Sequence, residues 1–245
     1  MAVSEPLPAL ALLAGGLATR LRPITATIPK SMVEVAGAPF IAHQLRLLAR
    51  ERIGDIVVCA GFLGAQIEAF LGDGAAFGCR VRYSRDGDKL LGTGGALRRA
   101  LPLLGERFLV MYGDSYLDTD FAAVDRAFRR SGKPALMTVF RNEGRWDTSN
   151  VEFADEVIRR YDKTNRTPAM RHIDWGLGMF DAAAIRTRPD SEAFDLADLY
   201  RDLAAQGRLA GFEVHQRFYE IGSPAGLEEA GEFLRRAHPL AGETR

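Results

Sequence analysis

The sequence predicts an α/β fold: a mixed, mostly parallel sheet flanked by helices, continued by an antiparallel portion. Three observations carry this. Through the first half, apolar runs of strand length alternate with segments of helical period, the order that gives parallel strands joined by crossover helices. In the second half the pattern changes to short strands with polar turns. The first strand also runs directly into a glycine pair, at the edge where such sheets bind ligands, beyond the carboxyl ends of the strands.

In order, LALLA (10–14) is the first strand and PFIAHQLRLLARER (39–52) has helical spacing. DIVVCA (55–60) is a second strand, followed by a helix in GAQIEAFLGD (64–73), a third strand in CRVRYS (79–84), a helix in GGALRRALPLL (94–104) and a fourth strand in RFLVMYGD (107–114). A helix over FAAVDRAFRR (121–130) leads into ALMTVF, NVEF and VIRRYDK, which read as short strands, and IDWGLGMF (173–180) as another. FDLADLYRDLAAQ is a helix, RLAGFEV and RFYEI a final pair of strands, and GLEEAGEFLRRA a closing helix. No Pro/Ser linker or internal repeat divides the chain. The expectation is one domain over 1–245, its alternating half reaching to about residue 120 and its short-strand half lying beyond it.

Lys+Arg and Asp+Glu balance at 32 each among 245 residues, with 47% apolar. A neutral chain with a sizeable core disfavours nucleic-acid or membrane-surface binding, which needs a net basic field, but permits a local anion site. The two cysteines, Cys59 and Cys79, lie in strand-like runs and read as buried thiols, without a disulfide or zinc pattern. The N-terminal apolar run lacks a positive flank and reads as a buried strand, and no run reaches membrane-spanning length. A cytoplasmic location is expected.

The stretch LALLAGGLATRLRPITATIPKSM (10–32) offers a phosphate cradle. Gly15 and Gly16 let the backbone approach a ligand and take positive φ, Arg20 can fork two phosphate oxygens, and Lys30 adds a compact charge. Taken alone, the stretch is equally an ordinary strand–helix turn. The GxxxxGK[ST] loop is absent. The spacing is not GxGxxG either, and no acid ends the second strand to hold a ribose, so a dinucleotide-binding oxidoreductase is disfavoured.

With LGTGGAL (91–97), YGDSYLD (112–118) and FYEIGSPAGL (218–227), the segment LLAGGLATRLRPITATIPKSMVEVAGAPFI resembles the sugar-1-phosphate nucleotidylyltransferase family, whose first motif runs GGxGTRLxPxT…PKPM. The motifs fall in order across almost the whole chain. Two departures sit in the first: Ala18 for a usual glycine, and Ser31 where proline is frequent. The resemblance implies the Rossmann-like nucleotidyltransferase (glycosyltransferase-A-like) fold, with a nucleotide-binding half over about 1–120 and a sugar-phosphate-binding half over about 121–245. It also implies Mg²⁺ held by Asp114 and by Glu220, the latter where aspartate is usual. Arg20, Lys30 and Asp114 become the catalytic set, and Leu13, Ala14, Gly15, Gly16, Thr19, Arg20, Gly92, Thr93 and Gly94 the nucleotide contacts. Gly113, Asp162, Lys163, Asp174, Trp175 and Gly176 become the sugar-phosphate contacts, with Trp175 either a wall for the sugar or part of the core. Asp118 and Asp120 read as solvated or capping residues, and His43 and His238 as helix-surface residues in structural roles.

The implied partners are an NTP and a sugar 1-phosphate, with a homodimer left open. The polar segment RNEGRWDTSNVEF (141–153) and IDWGLG resemble the branch using GTP with mannose 1-phosphate or D-glycero-D-manno-heptose 1-phosphate, in cell-surface polysaccharide synthesis. A uridylyltransferase acting on N-acetylmuramate 1-phosphate or another hexose 1-phosphate shares the short length and first motif. Two further readings are a cytidylyltransferase acting on a non-sugar phosphate or phosphonate, and a non-catalytic nucleotide-sugar-binding regulator. The last requires loss of Arg20, Lys30 or Asp114, all of which are present.

Overall fold

A computed structural model describes residues 6–16, 19–87, 89–189 and 193–237. The expectations placed on Ala18 and His238 lie outside the described residues, as does the side chain of Thr19.

Thirteen strands and seven α-helices follow in chain order among the described residues: β1 (Leu10–Leu13), β2 (Glu34–Val35), β3 (Ala38–Pro39), α1 (Phe40–Arg50), β4 (Asp55–Ala60), α2 (Gly64–Leu71), β5 (Arg80–Arg85), α3 (Gly92–Leu104), β6 (Arg107–Tyr112), β7 (Ser115–Tyr116), α4 (Phe121–Ser131), β8 (Ala135–Arg141), β9 (Val151–Ala154), β10 (Val157–Tyr161), β11 (His172–Asp181), α5 (Ala182–Arg186), α6 (Leu196–Ala205), β12 (Leu209–Val214), β13 (Tyr219–Glu220) and α7 (Pro224–Ala237). One nine-stranded sheet runs β5-β4-β1-β6-β11-β8-β12-β10-β9. Its first four strands are parallel, as the alternation of strands and helices requires. β11 lies antiparallel between β6 and β8 and joins strands of both halves into one sheet.

The side chains of β1 alternate across this sheet. Ala11 and Leu13 enter a core with α3, α5 and α6, while Leu10 and Leu12 enter another with α1, α2 and α4. Helices therefore cover both faces and leave the strand ends open.

The second half differs from the sequence reading in two ways. β12 runs parallel to β8 inside the main sheet, so that portion is mixed and not wholly antiparallel. RFYEI does not pair with β12 either: its two-residue β13 crosses back to pair with β7, beside Asp114. Two residues carry no periodicity, so nothing local in the sequence could choose that partner. The short α5 was likewise not anticipated. His43 is buried on α1, its Nε2 2.7 Å from the Val35 carbonyl, which corrects its placement on a helix surface but keeps the structural role. Asp120 caps α4 by accepting from the Ala123 amide, and Asp118 pairs with Arg50 at the surface.

Candidate active site

The parallel strands end side by side. Asp86 follows β5, Gly61 follows β4, Gly15 follows β1 and Gly113–Asp114 follows β6. Between these ends and the start of α3 lies a cleft of about 260 Å³. Of the expected nucleotide contacts, Leu13, Ala14, Gly15, Gly16, Gly92 and Thr93 line it, together with Lys30, Gly113 and Asp114. Six neighbours not anticipated as site residues complete the wall: Asp86, Leu90, Ala96, Tyr112, Ser31 and Cys59.

The glycines serve reasons other than the one expected. Neither Gly15 nor Gly16 takes positive φ. Gly15 is required by space, since a Cβ there would stand 3.0 Å from the Gly61 amide nitrogen. Gly92 does take positive φ (72°), and a Cβ on it would lie 2.5 Å from the Phe194 carbonyl oxygen. Gly94 faces away from the cleft: its amide donates to that same carbonyl (3.0 Å), and a Cβ would strike the Phe194 ring at 2.1 Å. The start of α3 is thus capped by the chain itself. The Thr93 hydroxyl is similarly engaged, donating to Asp195 (2.9 Å) and accepting from the Leu196 amide (2.8 Å).

At the β6 end, charged groups converge. Lys30 Nζ lies 2.6 Å from Asp114 Oδ2, and the Ser115 hydroxyl donates to Oδ1 (3.1 Å). The pairing of β13 with β7 seats Glu220 opposite Ser115, and the Ile221 amide donates to the Asp114 carbonyl (2.9 Å). A Cβ built on Gly222 would lie 3.2 Å from Glu220 Oε1 and 3.4 Å from Lys30 Nζ, so this glycine leaves room for both groups. Burial, then the neighbouring Asp114 charge, pushes the Glu220 carboxyl up; Lys30 and Arg20 oppose this, and Asp147 adds to it. Arg20, on an exposed 3₁₀ turn, therefore acts on the same cluster. Among the described residues, no group of three or more His, Cys, Asp or Glu side chains could hold a metal. What this end offers a cation is the Asp114–Glu220 pair.

The turn bearing Asp114 is pinned from behind. Gln44 of α1, fully buried, donates to the carbonyls of Tyr112 (3.0 Å) and Ser115 (2.8 Å), on either side of Gly113–Asp114. Gln44→Ala should cost about 1–3 kcal/mol, because two carbonyls lose their donor in a dry setting. A thermal melt with an unchanged midpoint would contradict this.

The residues expected at the second substrate gather around β11. Its register shifts between Asp174 and Gly178, and Gly176 takes φ of 99° with its amide donating to Asp174 Oδ1 (3.0 Å). A bulge of this kind re-aims a side chain. Asp174 lies 3.4 Å from the Tyr161 hydroxyl; burial raises its carboxyl, while Lys163 is the leading influence in the other direction. Tyr112 links the two regions: it lines the cleft, and Asp174 is the foremost charge acting on its buried phenol, which burial holds well above the ordinary value.

Two expected contacts have other duties. Trp175 is 1% exposed, with Nε1 donating to the Gln216 carbonyl (2.9 Å), so the indole belongs to the core and forms no wall. Asp162 Oδ1 accepts from the Thr164 amide and hydroxyl (2.9 Å each) and the Asn165 amide (2.8 Å). These bonds hold its carboxyl well below the usual range and fix the turn that presents Lys163.

Cys59, in the cleft wall, is fully buried, and burial pushes its thiol up to about 12, whereas Cys79 is half-buried and corrects the expectation of two buried thiols. At pH 8, Cys79 should react with an aromatic disulfide reagent well before Cys59, whose thiolate is scarce and enclosed. Equal rates would contradict the placement.

A cleft at the carboxyl ends of parallel strands, with a cationic and acidic cluster at one end, defines a nucleotide-binding α/β protein of the phosphate-transferring class. Residues 10–236 match the model of the family described as nucleotidyl transferase, and the chain belongs to that family. Over 113 residues, 46% of this chain and 49% of the relative, it is 44% identical to N-acetylmuramate alpha-1-phosphate uridylyltransferase of Neisseria meningitidis serogroup B. The enzyme of that name from Caulobacter vibrioides is 30% identical over 86% of this chain and 90% of its own length. Matches to a UTP–glucose-1-phosphate uridylyltransferase and a mannose-1-phosphate guanylyltransferase catalytic subunit span 58% and 66% of those proteins, so the chain covers only part of several relatives. HddC from Yersinia pseudotuberculosis, solved with GMP-PN, shares the fold at a TM-score of 0.77 and 22% identity, over 93% of this chain and 100% of that one. Among the relatives are uridylyl-, guanylyl- and cytidylyltransferases acting on sugar 1-phosphates. Among the described residues, no helix is long and apolar enough to cross a membrane.

Proposed function

We propose that the protein transfers a nucleoside monophosphate from an NTP to a sugar 1-phosphate, giving an NDP-sugar and pyrophosphate. The observation that carries this is the Lys30–Asp114–Glu220 convergence between the glycine-lined cleft and the Asp174–Lys163 region. One region suits a nucleotide, the other a hydroxyl-rich phosphate, and the charged cluster lies where their phosphates meet.

In the reaction, a phosphate oxygen of the sugar 1-phosphate forms a bond to the α-phosphorus as the bond from that phosphorus to the β-phosphate oxygen breaks. The attacking oxygen is already anionic, so no side chain need take a proton or act as nucleophile. Catalysis is positioning and charge neutralisation. Arg20 and Lys30 neutralise the departing pyrophosphate, Lys163 holds the sugar phosphate as a point charge, and Asp174 accepts from sugar hydroxyls. Asp114 and Glu220 fit a hard divalent cation such as Mg²⁺, which takes one or two carboxylates together with water and substrate phosphates. The Lys30 ammonium lies 2.6 Å from Asp114 and opposes the raised carboxyl of Glu220, so positive charge already suits this place, which supports that fit. Magnesium, when bound, supplies charge to the reacting phosphates. The motif resemblance suggests mannose or heptose 1-phosphate as the acceptor; the uridylyltransferase relatives, at 44% and 30% identity against 26% for the mannose-1-phosphate enzyme, favour N-acetylmuramate 1-phosphate.

The reverse reaction tests this. With Mg²⁺ and pyrophosphate, at least one NDP-sugar of a panel covering these acceptors should yield its NTP; no NTP from any of them would contradict the proposal. Lys163→Ala should raise the KM for the sugar 1-phosphate by roughly tenfold or more, the worth of a charge-assisted contact, while the KM for the NTP stays put. An unchanged sugar KM would return Lys163 to the surface.

A further inference from the structure

The polar segment around Trp146 has no part in the chemistry described above, yet it bridges the two sides of the site. β11 is antiparallel to both β6 and β8, so β8 runs as β6 does and leaves the sheet at the edge where Asp114 stands. The loop that follows, 142–149, leads into Asn150. The Asn150 Oδ1 accepts from the Asp174 amide (3.1 Å) and its carbonyl from the Asp162 amide (3.0 Å). One end of the loop therefore supports residues expected at the sugar phosphate. Its tip lies elsewhere. The Arg217 guanidinium stands 3.7 Å from the centre of the Trp146 ring and 5.0 Å from that of Tyr219, the neighbour of Glu220 on β13. Asp147, next to Trp146 in the chain, is among the charges acting on Glu220.

The loop is held in one shape from its base. Asn142, fully buried, accepts from the Trp146 amide through Oδ1 (3.2 Å) and donates from Nδ2 to the Asp147 carbonyl. The Ser149 hydroxyl accepts from the Gly144 amide (3.2 Å). What fastens that shape to β13 is different in kind. Trp146 is 49% exposed, so burial contributes little to holding it there. Arg217 pairs with Glu229 of α7, and Tyr219 stacks on Phe233 of the same helix with ring centres 4.1 Å apart. The Arg217 Nε is buried without a hydrogen-bond partner among the described residues, a cost that a hydrocarbon side chain would avoid. What a hydrocarbon lacks is the attraction of a cation for the indole face.

Resting on the proposed nucleotidyl transfer, we propose that Arg217 is a positioning residue: it clasps Trp146 and so closes the 142–149 loop onto β13, beside the acceptor's place between Asp174 and Glu220. The acceptor must reach from Lys163 and Asp174 to the phosphates at Asp114 and Glu220, and the loop spans those same two places. Arg217 touches no reacting atom. It sets the fraction of molecules in which the acceptor side is formed, and an acceptor that needs that form binds more weakly in proportion when the clasp is cut. The nucleotide cleft is bounded by other residues, Gly15, Gly92 and Thr93 among them, and does not sense the change.

Steady-state kinetics on Arg217→Ala, Trp146→Ala, the double variant and Arg217→Lys test this, in Mg²⁺ with the NTP and sugar 1-phosphate that wild type turns over. Each alanine variant should raise the KM for the sugar 1-phosphate roughly threefold to thirtyfold, the worth of one cation–π contact, and leave the KM for the NTP unchanged. The double variant should be no worse than either single one, and Arg217→Lys should regain part of the loss. A second readout needs no substrate. The other tryptophan, Trp175, is buried, so acrylamide quenching reports chiefly on Trp146 and should strengthen in Arg217→Ala. Trp146→Ala removes an exposed side chain and carries the kinetic expectation even where Arg217→Ala disturbs folding. An unchanged KM for the sugar 1-phosphate beside a lowered melting temperature, or unchanged quenching, would make Arg217 structural only. Single effects that multiply in the double variant would show that it acts without Trp146. Any of these overturns the clasp and leaves nucleotidyl transfer standing. Pyrophosphate release from no wild-type pair overturns that reading, and the inference with it.

Discussion

Asp114→Asn is expected to lower kcat/KM for pyrophosphate release by roughly 10²–10³, the usual cost of removing one electrostatic stabiliser from an active site. The side chain is set by three constraints: the strand end of β6, the Ser115 hydroxyl on Oδ1 and the Lys30 ammonium on Oδ2. Asparagine keeps the shape and loses the charge. Only Glu220 then remains to hold a cation, and Lys30 loses the partner that positions it. Stability should change little, because the ion pair is part-exposed, at 19% and 31% for the two side chains, and such pairs contribute modestly. Activity within threefold of wild type would remove Asp114 from the catalytic centre. A large fall in melting temperature would reassign it to the fold.

Lys30→Met should be comparably damaging, at roughly 10²–10³ in kcat/KM. Methionine keeps the apolar stem and deletes the ammonium. Lys30→Arg should not restore the rate, because a planar fork cannot sit in the narrow space between Asp114 Oδ2 and Gly222. A pH signature accompanies the loss. Glu220 already has its carboxyl raised by burial and by Asp114, with Lys30 opposing, so removing Lys30 raises it further. A carboxyl raised in the folded state binds more protons there than in the unfolded chain. Its ionisation therefore costs stability as pH rises through the folded value, and the cost is absent below the ordinary 4.5. The melting temperature of Lys30→Met should fall increasingly below wild type from acid toward neutral pH. A constant offset at every pH would show that Lys30 does not screen this cluster.

Much of this centre is legible in the sequence, for physical reasons. FLVMYG is an apolar run that can only be a buried strand, so Asp114 must emerge at its end. Lys30 lies 84 residues away, and only the order of the motifs joins the two. Other parts are not legible. Asp86 escapes because an acid was sought after the second strand, whereas it follows the third, in RDGD, where the lateral order of the sheet brings it beside Gly15. Trp175 and Asp174 are adjacent in the chain, and a bulge decides which faces the site, so alternation gives no answer. Asp162 reads as a sugar ligand until its Oδ1 is seen to close a turn, through local bonds that compete with any ligand. His43 is apolar in setting but polar in type, and the Val35 carbonyl that accommodates it belongs to a strand of two residues.

The central claim is that the Asp114 end of the cleft joins an NTP to a sugar 1-phosphate. Pyrophosphate release over five NTPs crossed with a panel of sugar 1-phosphates, in Mg²⁺ and beside Asp114→Ala, tests it most directly. The expected result is sugar-dependent release for at least one pair, and none from the variant. Release from no pair above the level of Asp114→Ala would contradict it.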